Sequence, residues 1–184
     1  SLDALKSLSN SDQAIRFFMG FSNLINAVRK LSKFVIARVH GRIVGGGVGL
    51  VSACDYVFAC EQASVRLSEL SLGIGPYVIE PVVSRKIGST AFAELSLDSK
   101  NWKSSEWARE KGLYTNLSKG LASMDNEIEK KLVSFASFPI EASKELRKLH
   151  WKDTNHWGEL LPKNAEITAK LALSKFAQGI IKSL

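Results

Sequence analysis

Apolar residues recur at steps of four and three from Phe17 through Phe21, Leu24 and Val28 to Leu31. That is the period of one face of an α-helix. Asn10, with Gln13 three positions on, offers a capped start, so a helix of about two dozen residues is expected here. From Lys33 to His40 the pattern changes to a Val- and Ile-rich run that reads as a buried strand. Gly41-Arg-Ile-Val-Gly45-Gly46-Gly47 follows, and the small apolar stretch Val48 to Ala53 reads as a short helix. Tyr56 to Cys60 is a second strand and Val65 to Leu67 a weaker third. Beyond Pro76 the pattern is helical, with Pro76 in a first turn and Gly88 as a stop. Further helices are expected over Ser89 to Leu97 and Ser104 to Lys111, the latter ended by Gly112. Three longer ones follow over 121–137, 139–152 and 158–182, with Pro139 separating the first two and Pro162 in the first turn of the last. Strands interleaved with helices, then helices alone, predict an α/β fold. The expected division is an α/β core over 1–118 and a helical region over 119–184.

Composition narrows the classes. With 45% of the residues hydrophobic and 23% charged, the chain is a globular domain rather than a disordered or collagen-like one. No apolar run approaches the ~20 residues that span a bilayer, so no membrane association is expected. The opening SLDALKSLSN has none of the marks of a secretory signal. Two cysteines, Cys54 and Cys60, speak against a disulfide framework and for a reducing, cytoplasmic setting. They do not combine with His40, His150 and His156 at zinc-ligand spacing, and no metal is expected. The net charge of +7 permits a polyanionic partner without naming one. Its even spread reads as a solvated surface, not a nucleic-acid arm.

Two features carry candidate chemistry. The first is Gly45-Gly46-Gly47-Val48-Gly49 between a strand and a helix. Adjacent glycines are entropically costly, and they suit a place where backbone approaches something closely or takes an unusual dihedral. N–H groups at a helix start point outward, unpaired, and can hold an anion or a developing oxyanion. A dinucleotide fingerprint fails, because the sixth residue is Leu50 counted from Gly45 and Ser52 counted from Gly47. A P-loop fails for want of Gly-Lys-Ser/Thr. Tight helix–strand packing without chemistry is the equal alternative. The second feature is Glu69, flanked by Leu67, Leu70 and Leu72 ahead of a Gly/Pro turn. Desolvation there would raise its pKa and let it act as acid and base near neutrality. A surface glutamate or helix cap is the alternative that local sequence favours.

Together these stretches resemble the crotonase superfamily, the enoyl-CoA hydratases and isomerases. The resemblance is carried by the run from Lys33 through Gly45-Gly46-Gly47 to Cys54-Asp55. It is also carried by Glu69 before the Leu72-Gly73-Ile74-Gly75-Pro76 turn, by Trp107 to Leu113, and by Ser174 to Ile180. It implies a partial spiral of ββα units with a helical C-terminal region that packs in a homotrimer or a dimer of trimers. The implied substrate is an acyl-CoA thioester, with no cofactor beyond the CoA that the substrate carries, and no nucleic acid. Gly46 is placed as an oxyanion donor and Glu69 as the acid/base. Gly45, Gly47, Gly49, Leu72, Gly73 and Pro76 are placed at the substrate, and Lys175 and Lys182 near the CoA.

Two departures shape the expected chemistry. Gly49 stands where the family's hydratases hold a first catalytic glutamate, so hydration would need a substitute such as Glu80, eleven residues beyond Glu69. The family's opening strands and second oxyanion donor precede the part that Ser1 resembles. The expected protein is an acyl-CoA-processing enzyme, a hydratase or double-bond isomerase. The alternative is a catalytically weak CoA-ester-binding or oligomer-forming protein. His40 is expected to be structural and Cys54 to pack as a small hydrophobe. Trp102, Trp107, Trp151 and Trp157 are assigned to core or subunit contacts, while Phe17, Phe18 and Phe21 border the acyl chain.

Overall fold

A computed structural model describes residues 2–183. The chain opens with α1 (Leu2–Lys6) and α2 (Ser11–Lys30). The Asn10 side chain accepts the Gln13 N–H at 3.0 Å, and Gln13 Oε1 accepts the Ser9 N–H and hydroxyl, so the expected cap forms. The buried stripe of α2 is Ala14, Phe18, Ser22, Ile25 and Val28. It is turned by about one residue from the expected one, which leaves Leu24 42% and Leu31 49% exposed. The small Ala14 and Ser22 take the inner face because α2 packs along a later helix whose own inner face is Ala-rich. The five-residue α1 has too few residues for a helical period to show.

Strand β1 (Ile36–Val39) is shorter than the run that predicts it. Val35 is diverted from the ladder: its N–H donates to Asp55 Oδ2 at 2.8 Å, and its carbonyl accepts the N–H groups of Asp55 and Tyr56. Then follow β2 (Arg42–Val44), α3 (Gly46–Ser52), β3 (Tyr56–Cys60) and β4 (Ser64–Arg66). Strand β3 lies parallel to β1, with Ile36 opposite Tyr56, and β4 lies parallel to β2, with Arg42 opposite Ser64. Two successive strand pairs thus contribute one strand to each of two sheets, with a helix between the pairs. This is the partial ββα spiral.

A 3-10 turn over Leu70–Leu72 precedes α4 (Glu80–Ile87), α5 (Ser89–Leu97) and α6 (Ser105–Glu110). The helix expected from Pro76 therefore begins four residues later. Pro76 supplies the carbonyl that accepts the Ile79 and Glu80 N–H groups, and Pro81 occupies the first turn. Strand β5 (Asn116–Ser118) adds to β3. Like β2, it is only three residues long, too short to show alternation.

The chain ends in α7 (Leu121–Ala136), α8 (Ile140–His150), α9 (Trp157–Ala172) and α10 (Lys175–Ser183). The single helix expected over 158–182 breaks at Leu173–Ser174, where the Ser174 hydroxyl caps α10 by accepting the Ala177 N–H. Pro162 lies inside α9, past its first turn. It removes the N–H that would have reached the Gly158 carbonyl. Helix α9 packs on α2 through Ala165, Ala169 and Ala172, in a cluster with Ala14 and Phe18. The larger core joins Val57, Ala59, Val65 and Leu67 of the first 118 residues to Trp151, Trp157 and Leu161 of the rest. Among the described residues no helix is long and apolar enough to cross a membrane.

Candidate active site

The ends of β2 and β4 are tied together where Gly45 N–H donates to the Arg66 carbonyl at 3.1 Å. Gly45 then turns the chain into α3 at φ 56°, ψ −123°, a conformation that side-chain-bearing residues rarely take. A Cβ at this position would stand 2.9 Å from Glu69 Oε1. The bare Cα of Gly45 is therefore what lets the carboxylate come in against the bend. Gly46 is constrained by another neighbour: a Cβ there would lie 2.0 Å from a Phe21 ring carbon. The ring of Phe21 covers that face of the bend. The N–H groups of Gly46 and Gly47 lie in the first turn of α3, where no intrahelical carbonyl reaches them.

Glu69 is fixed from its own main chain. Its carbonyl accepts the N–H groups of Leu72 and Ile74, each at 3.0 Å, and Gly73 closes the turn at φ 78°. The Ser71 hydroxyl donates to the Ser68 carbonyl at 2.7 Å, which braces the same turn. Glu69 Oε2 is buried with no hydrogen-bond partner among the described residues. Burial pushes the carboxyl up to about 7, a rise only partly offset by the nearby backbone N–H groups of Glu69 and Ser68. Such a group is poised to accept and return a proton near neutral pH.

The carboxylate opens into a cavity of about 330 Å³. Of the residues singled out from sequence, Gly45, Gly46, Gly47, Glu69, Leu72 and Pro76 line it, and so do Phe17, Phe18 and Phe21. Gly49, Gly73 and Glu80 do not. Gly49 faces Ile79, whose Cγ2 would stand 2.4 Å from a Cβ at 49, and Gly73 faces Phe176. The Glu80 carboxylate accepts the Ser84 hydroxyl at 2.8 Å on α4, so it supplies no second acid–base group at the cavity. Lys175 and Lys182 are exposed on α10 and do not line the cavity either. Sequence reasoning missed Leu5, Val44, Ile74, Val78, Ile79 and Thr168 in the wall. They come from four separate parts of the chain, and no local signal joins them.

The remaining candidates have structural surroundings. Cys54 is buried, its thiol donates to the Leu50 carbonyl at 3.4 Å, and burial pushes its pKa up to about 11. Trp151 and Trp157 meet edge to face in the core. Trp102 is flanked by the guanidinium groups of Arg42 and Arg66, and Trp107 donates to Glu94. His40 is exposed at the end of β1. Among the described residues no three His, Cys, Asp or Glu side chains gather as a metal set.

Residues 3–175 match the family described as enoyl-CoA hydratase/isomerase. The peroxisomal Delta(3,5)-Delta(2,4)-dienoyl-CoA isomerase of Arabidopsis thaliana is 30% identical over 123 residues, covering 65% of this chain and 43% of that protein. The ethylmalonyl-CoA decarboxylase of Mus musculus is 30% identical over 105 residues, covering 54% of this chain and 33% of that protein. The chain thus matches less than half the length of either relative. The enoyl-CoA hydratase of Mycobacterium avium superposes with a TM-score of 0.81 at 25% identity, covering 91% of this chain and 66% of that one. The enoyl-CoA hydratase of Bacillus halodurans shares the fold with a TM-score of 0.90 at 19% identity, covering 100% of this chain and 75% of that one.

Proposed function

The chain belongs to the enoyl-CoA hydratase/isomerase family, and on that premise we propose that it shifts a double bond in an enoyl-CoA thioester, with Glu69 carrying the proton. The observation behind this reading is that, among the described residues, Glu69 is the one ionisable side chain in the cavity wall. Hydration needs water to be held and deprotonated while a second group protonates carbon. Gly49 is packed on Ile79 and Glu80 is engaged on α4, so neither serves. Isomerisation needs a single group that works twice.

In this mechanism the thioester carbonyl oxygen rests on the Gly46 N–H. The Glu69 carboxylate removes a proton from the carbon next to the carbonyl. The electron pair of that C–H bond moves into the conjugated system, and negative charge develops on the oxygen. Glu69, now protonated, gives the proton to C4, the carbon of the original double bond farther from the carbonyl; the double bond is left between C2 and C3, the carbonyl re-forms, and Glu69 is again a carboxylate. A backbone donor aimed at the developing oxyanion is worth roughly 3 kcal/mol in the transition state. A carboxyl titrating near neutrality makes both proton transfers accessible.

The test is a spectrophotometric assay of conversion of 3-enoyl-CoA to the conjugated 2-enoyl-CoA by the wild-type chain and by Glu69→Gln. The reading expects turnover in the wild type and none in the variant, with thioester binding retained. Hydration of 2-enoyl-CoA at a comparable rate would overturn it. Binding without any conversion would favour a CoA-ester-binding role, the reading that a single carboxylate leaves next in line.

A further inference from the structure

The wall that faces Glu69 is mostly hydrocarbon. Leu5 of α1, Phe17, Phe18 and Phe21 of α2, and Ile74 and Val78 from the loop after the 3-10 turn make most of it. The three phenyl rings support one another, Phe17 meeting Phe18 and Phe21 edge to face at 5.0 and 5.9 Å. This gives a stiff apolar surface rather than a set of free rotors. The side-chain hydroxyls in the lining belong to Ser68 and Thr168, and Thr168 donates to the Asn164 carbonyl at 2.9 Å. Among the described residues no Lys, Arg or His lines the cavity.

That inventory decides what kind of acyl group fits. A hydrocarbon chain exchanges water for aliphatic and aromatic contacts and leaves no polar atom stranded. A chain bearing its own carboxylate would lose hydration, find no cation, and stand near a carboxylate that is itself unpartnered. Each of these opposes binding of the charged form. Resting on the reading of this cavity as an acyl-CoA site, we propose that it selects an uncharged hydrocarbon acyl group and excludes one that carries a second carboxylate.

The test is calorimetric titration of the full chain at pH 8 with octanoyl-CoA, with suberyl-CoA, and with free CoA. Suberyl-CoA has the same chain length but ends in a carboxylate. The expected result is octanoyl-CoA binding at least about tenfold tighter than suberyl-CoA, with suberyl-CoA close to free CoA. Equal affinity for the two thioesters would overturn the selectivity while leaving the acyl site standing. Octanoyl-CoA binding no better than free CoA would overturn the acyl-site reading itself, and this inference with it. Thr168→Lys supplies the missing cation and is expected to narrow the gap by tightening suberyl-CoA. A folded variant with an unchanged gap would trace the discrimination to something other than an uncharged wall, and so contradict the proposal.

Discussion

Glu69 illustrates how burial and chemistry oppose each other at one residue. Its carboxyl titrates at about 7 in the folded chain against an ordinary 4.5. Between those values the folded state holds a proton that the unfolded state has released. Its contribution to stability is therefore present below about 4.5 and is lost as pH rises toward about 7. The loss is roughly 3 kcal/mol at most, and less to the extent that water entering the cavity screens the charge. Glu69→Gln removes the ionisation. Thermal melts of the variant and the wild type should differ little below about pH 4.5, separate as pH rises from there to about 7, and stay apart above it, with the variant the more stable. The same titration sets activity. As a carboxylate base, Glu69 predicts that kcat/KM rises with pH through a limb near 7 and then levels. A limb in the ordinary carboxylate range would mean that the side chain is solvated during turnover. At this scale the sequence points to the residue and to its burial but not to the contact that allows it. Leucines on both sides of Glu69 suggested desolvation, but the neighbour that matters sterically is Gly45, 24 positions earlier.

Among the elements, α3 and α2 show which constraints are visible in a linear pattern. The strand β3 and the helix α5 fall on the residues the pattern predicts, because each is long enough to show its period and is bounded by turn residues. Strands β2 and β5 do not, since three residues in register with a partner owe their conformation to that partner. The C-terminus of α2 depends on a residue with no signal at all. Arg147 of α8 is 2% exposed, and its guanidinium donates to the carbonyls of Val28, Arg29 and Leu31 and to Asp55 Oδ2. It thereby satisfies the last turn of α2 and, through Asp55, the backbone of Val35. Arg147→Ala would strand Asp55 in the core and should destabilise the chain by about 3–5 kcal/mol in urea titration. A loss under 1 kcal/mol would show that water replaces the guanidinium. On α3, Gly49→Ala forces a Cβ into Ile79 and should cost about 1–3 kcal/mol by overpacking. Ile79→Ala in the same chain should relieve much of that, so the pair is expected to be non-additive in a double-mutant cycle. Additive losses would mean that the two residues do not share the contact.

For the whole molecule, the spiral brings together what the chain keeps far apart. The cavity draws on α1, α2, the bend before α3, the turn after β4, and α9, so residues from Leu5 to Thr168 share one wall. The glycine run and Glu69 were singled out by their combination in the family resemblance, since local sequence alone leaves the glycines open to a packing role and favours a surface glutamate. Of the cavity's apolar lining, the sequence points to Phe17, Phe18 and Phe21 on α2 and to Leu72 and Pro76 at the turn. Thr168 reaches the wall through the packing of α9 on α2, where alanines with no visible period lie between the helices, and Val44, Ile74, Val78 and Ile79 reach it from β2 and the segment before α4. The account stands on one carboxylate passing a proton to and from carbon beside a thioester. The most direct measurement is exchange of the α-hydrogens of octanoyl-CoA for deuterium in heavy water, followed by NMR with wild-type chain and with Glu69→Gln. The account predicts exchange in the wild type and background exchange alone in the variant, with both binding the thioester alike. Equal exchange in the two would contradict it.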